Sequence, residues 1–499
     1  HNSGIPILAI GRAASSRSCM PSSSWRKIGT RGTIRRPLSG RSWAFDVLGT
    51  WILLMALAFA HGVIQWNAAD GLSTIYTVSG LSFQPKALHF STNGQASAVD
   101  AASAALNSQR CHGFATTTSD RRCQASNSID AAAAGDCNAC YREDAAVITI
   151  AITVAAAVTG ALDLNSITSD GFTLIVDDVV PADITVAWEA WGGADLTNAE
   201  VITIVEPALA GNQETNLVGA FQPNVLLFAH CGSDGAAPNN ASGVGQLMLG
   251  WATGSAAANN VCVLGNTDDA SATMDTDGYN FSGECIAGMA VAGAAACDLR
   301  AIVASLDADG FTINFLETAN LGRRIMVLAI KGGQWAAGSY TIAAGTLNAT
   351  ATVSGLAFQP IAGLGFTRGS VQSTVDTTQA EDSISFGCWS STTSRRCMGA
   401  WDETGIADAE INLAIEYDQM LVVPSGAGGV LSAFDLDALN SDGFRVIEDV
   451  AGGAASEFHG YLAFGSDAVG GGRIMSKLAW AGGLAGRGGI AGLGGGLAG

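Results

Sequence analysis

Phe83-Gln84-Pro85, Phe221-Gln222-Pro223 and Phe358-Gln359-Pro360 are three copies of one motif, spaced 138 and 137 residues apart. Three further landmarks follow each copy in the same order. A glycine before an aromatic residue or a cysteine is the first of them, at Gly113-Phe114-Ala115, Gly250-Trp251-Ala252 and Gly387-Cys388-Trp389. A single cysteine is the second, at Cys123, Cys262 and Cys397. Asp-Gly-Phe closes each set, at Asp170-Gly171-Phe172, Asp309-Gly310-Phe311 and Asp442-Gly443-Phe444. The chain is therefore a tandem array of one unit.

The repeat divides the 499 residues into three units with a segment at each end. We place the repeats at 66–194, 195–333 and 334–467, after an N-terminal segment 1–65 and before a Gly-rich tail 468–499. A period of about 137 residues is too long for a solenoid unit, and it is long enough for each repeat to bury a core of its own. We therefore expect three independent domains with modest mutual contacts.

Short apolar segments separated by turns indicate an all-β fold. Alternation is clear in Phe311-Thr-Ile-Asn-Phe, as expected for a strand with one buried face. Each Asp-Gly predicts a hairpin in which glycine supplies a positive φ, and each Pro of Phe-Gln-Pro predicts a strand entrance or an edge. The stretch Ala98–Leu106 predicts a short helix or a loop. The predicted fold is three tandem antiparallel β-sandwiches of jelly-roll-like type, each of about 137 residues.

Both ends of the chain differ from the repeats in composition. Residues 1–42 hold eight basic and no acidic residues, and the apolar run 47–60 follows them, as in a secretory signal. Three interpretations stay open for residues 1–65: a signal or anchor, a segment packed against the first repeat, and a stretch that is not native coding sequence. The tail carries three near-identical Gly-Gly-(Leu/Ile)-Ala-Gly pentapeptides, which are typical of a flexible linker or of a glycine-rich packing segment.

The charge balance argues against nucleic acid as a partner. Residues 43–499 carry 16 basic and 44 acidic residues, a formal charge of −28. A body this acidic repels a phosphate backbone. Few lysines and many Ala, Gly, Ser and Thr residues are more typical of a secreted or particle-borne protein than of a cytosolic enzyme.

No catalytic, cofactor or metal site is predicted. His89 and His230 fall near each other when the repeats are superposed, but Gly365 or Phe366 stands there in the third repeat. No GxSxG, phosphate-binding loop or dinucleotide fingerprint accompanies any histidine. Cys137-Asn-Ala-Cys140 lacks the second ligand pair that a zinc site needs. Three Asp-x-Asp segments begin like calcium loops and lack the acidic residue at loop position twelve, namely Asp275-Thr-Asp277, Asp307-Ala-Asp309 and Asp435-Leu-Asp437.

Two cysteine pairs flank the same predicted strand and loop. Cys111 with Cys123 and Cys388 with Cys397 allow a local disulfide in an oxidising compartment. The second repeat lacks the first member of the pair, so small buried thiols are the favoured interpretation.

The repeat pattern resembles tandem β-rich repeats of structural proteins of tailed bacteriophages. It runs Val-Ser-Gly-Leu-x-Phe-Gln-Pro, Gly-Phe-Ala, Arg-Arg-Cys and Asp-Gly-Phe across residues 70–467, with Asn-Val-Cys in place of Arg-Arg-Cys in the second repeat. The resemblance implies a virion surface protein such as a fibre, decoration protein or adhesin, and it brings no functional residues with it.

The expected function is a non-enzymatic structural role at a virion surface or outside the cell. The expected partners are other virion or surface subunits, including copies of this chain in a homo-oligomer, and host glycans. A secreted carbohydrate-binding or carbohydrate-active protein is the alternative, as is a bacterial surface adhesion protein. The carbohydrate alternative needs solvent-facing aromatic platforms, for which the candidates are Trp188, Trp191, Trp251, Trp389 and Trp401.

Overall fold

A computed structural model describes most of the chain between residues 56 and 467. The described ranges are 56–96, 101–104, 107–129, 137–151, 158–234, 241–242, 244–268, 276–289, 297–343, 345–368, 379–380, 382–403, 411–426, 428–452 and 456–467. The expectations for the basic head and the Gly-rich tail lie outside them. Within them the only helical element is a 3₁₀ turn at Ala257–Asn259, and 33 strands confirm the all-β prediction.

Each repeat contributes eleven strands in the same order. The first repeat contains β1 (Leu57–Trp66), β2 (Ile75–Val78), β3 (Pro85–Thr92), β4 (Ala101–Ala104), β5 (Ser108–Thr117), β6 (Asp120–Ser128), β7 (Cys137–Glu143), β8 (Ile148–Ala151), β9 (Val158–Thr168), β10 (Gly171–Asp178) and β11 (Ile184–Gly193). The second contains β12 (Asn198–Val205), β13 (Gly211–Asn216), β14 (Val225–His230), β15 (Ala241–Ser242), β16 (Val244–Ala252), β17 (Asn260–Asp268), β18 (Thr276–Ser282), β19 (Ile286–Gly288), β20 (Leu299–Asp307), β21 (Gly310–Glu317) and β22 (Arg324–Lys331). The third contains β23 (Gln334–Ile342), β24 (Thr350–Val353), β25 (Ala362–Thr367), β26 (Gln379–Ala380), β27 (Asp382–Ser391), β28 (Ser394–Asp402), β29 (Ile411–Glu416), β30 (Leu421–Pro424), β31 (Val430–Asn440), β32 (Gly443–Val450) and β33 (Glu457–Gly465).

Every repeat is a sandwich of a large and a small antiparallel sheet, which confirms the predicted fold class. In the first repeat the large sheet has the order β1-β11-β3-β5-β6-β7, and the small sheet has the order β2-β10-β9-β8. The second and third repeats use the equivalent strands in the same orders. The first and last strands of each repeat pair with each other, so the two ends of a repeat lie side by side in its large sheet.

The repeats also exchange strands in a closed cycle. The fourth strand of the second repeat, β15, extends the large sheet of the first by pairing with β7, and β26 of the third repeat pairs with β18 of the second. The cycle closes because β4 of the first repeat pairs with β29 of the third. The segment 101–104 is therefore a strand, where a short helix or a loop was expected.

A shared core joins the three repeats, so the expectation of independent domains with modest contacts is wrong. One cluster of buried apolar residues includes Trp191 from the first repeat, Ile330 from the second and Phe464 from the third. These residues occupy equivalent positions. Each lies in the last strand of its repeat along the chain, opposite Ala87, Val225 or Ala362 respectively. The large sheets thus face one another around a pseudo-threefold axis. The described residues between 56 and 467 belong to a single compact unit.

The first repeat begins earlier than the predicted boundary at residue 66. Residues Leu57–Trp66 pair along their whole length with β11, as β12 pairs with β22 and β23 with β33. The end of the apolar run 47–60 therefore belongs to the first sandwich. Residues 57–60 of the run are apolar because Leu57 and Phe59 pack against the shared core.

The Asp-Gly-Phe hairpins are present, but glycine serves a different purpose from the one expected. Gly171, Gly310 and Gly443 open the second strand of each hairpin, and none is among the residues with positive φ. A Cβ atom on Gly310 would lie 2.0 Å from the carbonyl oxygen of Thr215 in the adjacent edge strand, and the other two glycines have the same close contact. Glycine is needed here for the close approach of two backbones.

The repeated glycine and cysteine landmarks form cross-strand pairs. Gly113 lies opposite Cys123, Gly250 opposite Cys262 and Gly387 opposite Cys397. A Cβ atom on Gly113 would lie 1.7 Å from the carbonyl oxygen of Val147, where the small sheet passes over the large one. These landmarks therefore determine the fold by allowing the two sheets to approach closely.

Candidate functional site: a buried polar cluster between the first and third repeats

The three repeats differ most sharply in one row of residues that crosses the large sheet. In the first repeat the row reads His61, Glu189 and His89 across β1, β11 and β3. The equivalent rows are wholly apolar, with Val201, Leu328 and Leu227 in the second repeat and Ala337, Leu462 and Leu364 in the third. The row faces the shared core, so the first repeat alone places ionisable groups there.

The next strand of the first repeat extends this polar surface. Arg110 and His112 of β5 occupy positions that are Leu247 and Leu249 in the second repeat and Ile384 and Phe386 in the third, as the paired glycine landmarks establish. All four of those apolar residues belong to the shared core. Arg110 and His112 are 2% and 3% exposed. We call His61, His89, Arg110, His112 and Glu189 the polar cluster.

A chain of close polar contacts runs through the polar cluster. His89 Nδ1 lies 2.8 Å from Oε2 of Glu189, and His89 Nε2 lies 2.9 Å from Nδ1 of His112. The two imidazole rings are stacked, with centroids 5.2 Å apart. Because one of two hydrogen-bonded ring nitrogens must accept, the chain holds a single proton between the rings of His89 and His112.

The third repeat supplies the opposite face of the polar cluster. Arg396 of β28 approaches Glu189 with Nη2 3.0 Å from Oε1, and it also donates to the carbonyl oxygen of Trp188. The ring of Phe386 meets the rings of His89 and His112 edge-on, with centroid distances of 5.0 and 5.4 Å. The cluster is thus an interface between the first and third repeats and not a cleft of either one.

Hydroxyl groups of the third repeat bind the outer histidine. Nε2 of His61 lies 3.2 Å from Oγ of Ser390 and 3.1 Å from Oγ of Ser394, on either side of the turn between β27 and β28. Asn93, just after β3, donates to the carbonyl oxygens of Gly399 and Ala414 at 3.0 and 3.1 Å. Polar contacts between the two repeats therefore extend beyond the cluster to Gly399 and Ala414.

The electrostatics keep the carboxylate ionised and the outer histidine neutral. Burial alone would raise the pKa of Glu189, but the hydrogen bond from His89 and the charges of His89 and Arg396 outweigh it and lower that pKa to about 2. Burial and the charge of Arg396 lower the pKa of His61 to about 4. Burial, followed by the neighbouring His89, lowers the pKa of His112 well below its usual value. At neutral pH, Glu189 therefore pairs as an anion with Arg396.

All three repeats meet at a small cavity beside the polar cluster. The cavity has a volume of about 20 Å³ and is lined by Arg110 and His112, by Leu247 and by Phe386, among others. Arg110 of the first repeat lies 3.5 Å from Asp402 of the third, and Thr267 of the second donates to the same carboxylate at 3.1 Å. A cavity of this size accommodates about one water molecule. It is too small for an organic substrate.

The other two contacts between repeats use different chemistry. Between the first and second repeats, Arg122 donates to the carbonyl oxygen of Val201 at 2.7 Å and to Thr203 Oγ1 at 2.9 Å. Between the second and third repeats, Trp251 packs on Phe366 with ring centroids 4.5 Å apart. Arg122 and Arg396 are equivalent positions, and Val261 replaces them in the second repeat. The three repeats, which together form a closed ring through their exchanged strands, are therefore not interchangeable in position.

The proposed aromatic platforms are buried. Trp188, Trp191, Trp251, Trp389 and Trp401 are all 7% exposed or less. No Trp, Tyr or Phe is among the large exposed apolar side chains of the described residues. The five tryptophans are therefore core residues.

The two histidines that superposition brought together are not equivalent. His89 corresponds to Leu227 and Leu364, and His230 corresponds to Thr92 and Thr367. The approximate superposition was three residues out of register. The cluster itself was missed because its members lie far apart in sequence and become neighbours only through strand pairing. Comparing equivalent strands of the three repeats residue by residue would have marked it.

The cysteines considered as candidate sites are buried, and several of the aspartates are paired with other side chains of the chain. Cys111, Cys123, Cys388 and Cys397 are buried thiols without a disulfide, as the favoured interpretation predicted. Asp307 accepts a hydrogen bond from Thr312 at 2.8 Å. Two further aspartates form ion pairs with arginines, Asp435 with Arg395 and Asp437 with Arg445. Asp275 lies outside the described residues.

The comparisons with known proteins found no relative. The chain matches no protein-family model, no curated protein and no solved structure. Across the described residues, no group of three or more His, Cys, Asp or Glu side chains is arranged to hold a metal ion. In the same part of the chain no helix has the length and apolar character needed to cross a membrane.

Proposed function

We propose that this chain is a non-enzymatic structural protein of a particle surface, which supplies a three-part ring from a single polypeptide. The observation that carries the proposal is the closed exchange of strands among the repeats around one shared core. Such a ring is a rigid building block, because no repeat can leave without exposing apolar core and unpaired strand edges.

A virion surface or another extracellular location is the setting that suits such a block. The acidic body, with its formal charge of −28 over residues 43–499, opposes nucleic-acid partners. Other surface subunits, including further copies of this chain, are the proposed partners. Loops between strands would carry the contacts, because the repeated motifs are occupied in holding the sheets together.

Carbohydrate binding is a second candidate, favoured by one groove between the first and second repeats. The groove has a volume of about 500 Å³ and is lined by Gln84, Lys86, Asn198 and the hydroxyl-rich segment 116–118. Amide and hydroxyl groups suit a ligand rich in hydroxyl groups. Lys86 already donates to the carbonyl oxygens of Gly193 and Leu196, so its ammonium group helps to form the floor.

A glycan array and a reducing-sugar assay on the full-length protein test these proposals together. The structural proposal expects no release of reducing ends from any polysaccharide. Turnover that a single carboxylate substitution abolishes would contradict it. Glycan binding that Asn198→Ala weakens, and that a substitution on another loop leaves unchanged, would assign the groove to carbohydrate.

A further inference from the structure

We propose that the contact between the first and third repeats is an acid-sensitive latch. Protonation of His61 and His112 would open the ring at this contact, while the other two contacts stay closed. The latch is the polar cluster of the first repeat against Arg396 of the third.

A proton added to His61 or to His112 places a further positive charge near an arginine, which is Arg396 for His61 and Arg110 for His112. The first repeat presents His61 on β1, Glu189 on β11, His89 on β3, and Arg110 and His112 on β5. The third repeat presents Arg396 and Asp402 on β28 and the thiol of Cys388 on β27, and the second repeat adds the hydroxyl group of Thr267. Two guanidinium groups thus face two carboxylates. Each added proton is a further positive charge at a largely buried contact.

Hydrogen-bond geometry opposes protonation of both rings, His89 and His112, independently of the charge. In the chain from Glu189 to His112, the contact of 2.9 Å between the two rings needs one donor and one acceptor. If both rings carried two protons, two N–H groups would point at each other. The hydrogen bond therefore survives when one of the two rings is charged and is lost when both are charged.

The direction of the pH effect follows from burial. The pKa of His61 is about 4 in the closed ring, against a value near 6.5 for an exposed imidazole. The open form then binds more protons than the closed form, so closure weakens as pH falls from about 6.5 towards 4. Between pH 7 and pH 5 this one histidine shifts the equilibrium towards the open form by about 20-fold. His112, whose pKa is also lowered, acts in the same direction.

The other two contacts lack this sensitivity. The row that contains the three ionisable groups is apolar in the second and third repeats, as described above. The contact between the first and second repeats relies on pairs such as Arg122 with Thr203 and Arg324 with Glu143. Acid therefore acts on one of the three contacts.

Hydrogen exchange measured by mass spectrometry on the full-length protein at pH 7 and pH 5 tests the latch. After correction for the intrinsic pH dependence of exchange, we expect amide hydrogens in peptides from β1, β5 and β28 to exchange at least tenfold faster at pH 5 than at pH 7. Peptides from β25, whose Phe366 packs on Trp251 in the contact between the second and third repeats, should keep their protection. Equal loss in all these peptides, or no loss in any, would overturn the proposal.

Two variants and one control assign the effect to the cluster. The double variant His61→Gln and His112→Gln keeps hydrogen-bonding side chains that do not titrate, and it should abolish the acid response. A second variant replaces the row with the residues of the second repeat, through His61→Val, Glu189→Leu, His89→Leu, His112→Leu and Arg396→Val, and should also be insensitive to acid. His230→Gln, at a histidine buried inside the second repeat, should leave the response unchanged. An acid response that survives in a folded variant of either kind would refute the latch.

Discussion

Gly310→Ala tests the argument that the repeated Asp-Gly-Phe motif serves a close approach of two backbones. The added Cβ atom would lie 2.0 Å from the carbonyl oxygen of Thr215, whereas an ordinary contact between carbon and oxygen is about 3.3 Å. The edge strand β13 must therefore move by about 1.3 Å. The expected cost is overpacking of about 1–3 kcal/mol and the weakening of one or two hydrogen bonds of about 1 kcal/mol each. We expect a total loss of about 2–5 kcal/mol.

The assay is urea unfolding followed by circular dichroism, with Gly71→Ala as the matched control. Gly71 lies in a loop, has no atom within 4 Å of its potential Cβ and does not have a positive φ. The control should therefore change stability by less than about 0.5 kcal/mol. If Gly310→Ala unfolds at the same urea concentration as Gly71→Ala, the close-approach argument is wrong.

Three further predictions concern buried groups. Glu189→Leu and Arg396→Leu should each destabilise the protein by about 3–5 kcal/mol in urea unfolding, because each leaves a buried charge without its partner, and the double variant should cost less than the sum; additive losses would show that the two side chains do not interact. Burial raises the pKa of the Cys123 and Cys397 thiols well above the usual value. Both thiols should therefore react with a thiol reagent on the order of 100-fold more slowly in native than in denatured protein. Equal rates would contradict the core packing. Burial lowers the pKa of His230 to about 3, so the unfolded state binds the extra proton and stability falls as pH drops from about 6.5 towards 3; His230→Gln should flatten this part of the stability curve, and an unchanged slope would contradict it.

The strands and hairpins were predictable from sequence because local residue chemistry specifies them. Asp170-Gly171 and its two counterparts mark hairpins, and Pro85 opens β3 as a proline at a strand entrance should. The reason for the glycines was not predictable, because the clashing carbonyl group belongs to a strand at least ninety residues away for Gly171, Gly310 and Gly443 alike.

The ring and the polar cluster were not predictable, since both depend on pairing between distant segments. The exchanged strands β4, β15 and β26 are only two to four residues long and carry no alternating pattern. His61 and Glu189 are 128 residues apart and become neighbours only in the register of β1 with β11. A single sequence shows polar residues at these positions without showing that they face a shared core.

Formation of a disulfide between the first and third repeats tests the closed ring most directly. The strand pairing places Ala102 of β4 beside Ala414 of β29, where directly opposed Cα atoms lie about 4.5–5.5 Å apart. Cysteines at both positions should form a disulfide within one chain on mild oxidation, which peptide mapping by mass spectrometry detects. Recovery of the linked peptide from the monomeric fraction is the expected result. If both thiols stay reduced in folded protein and react normally once it is denatured, the ring is not closed in solution.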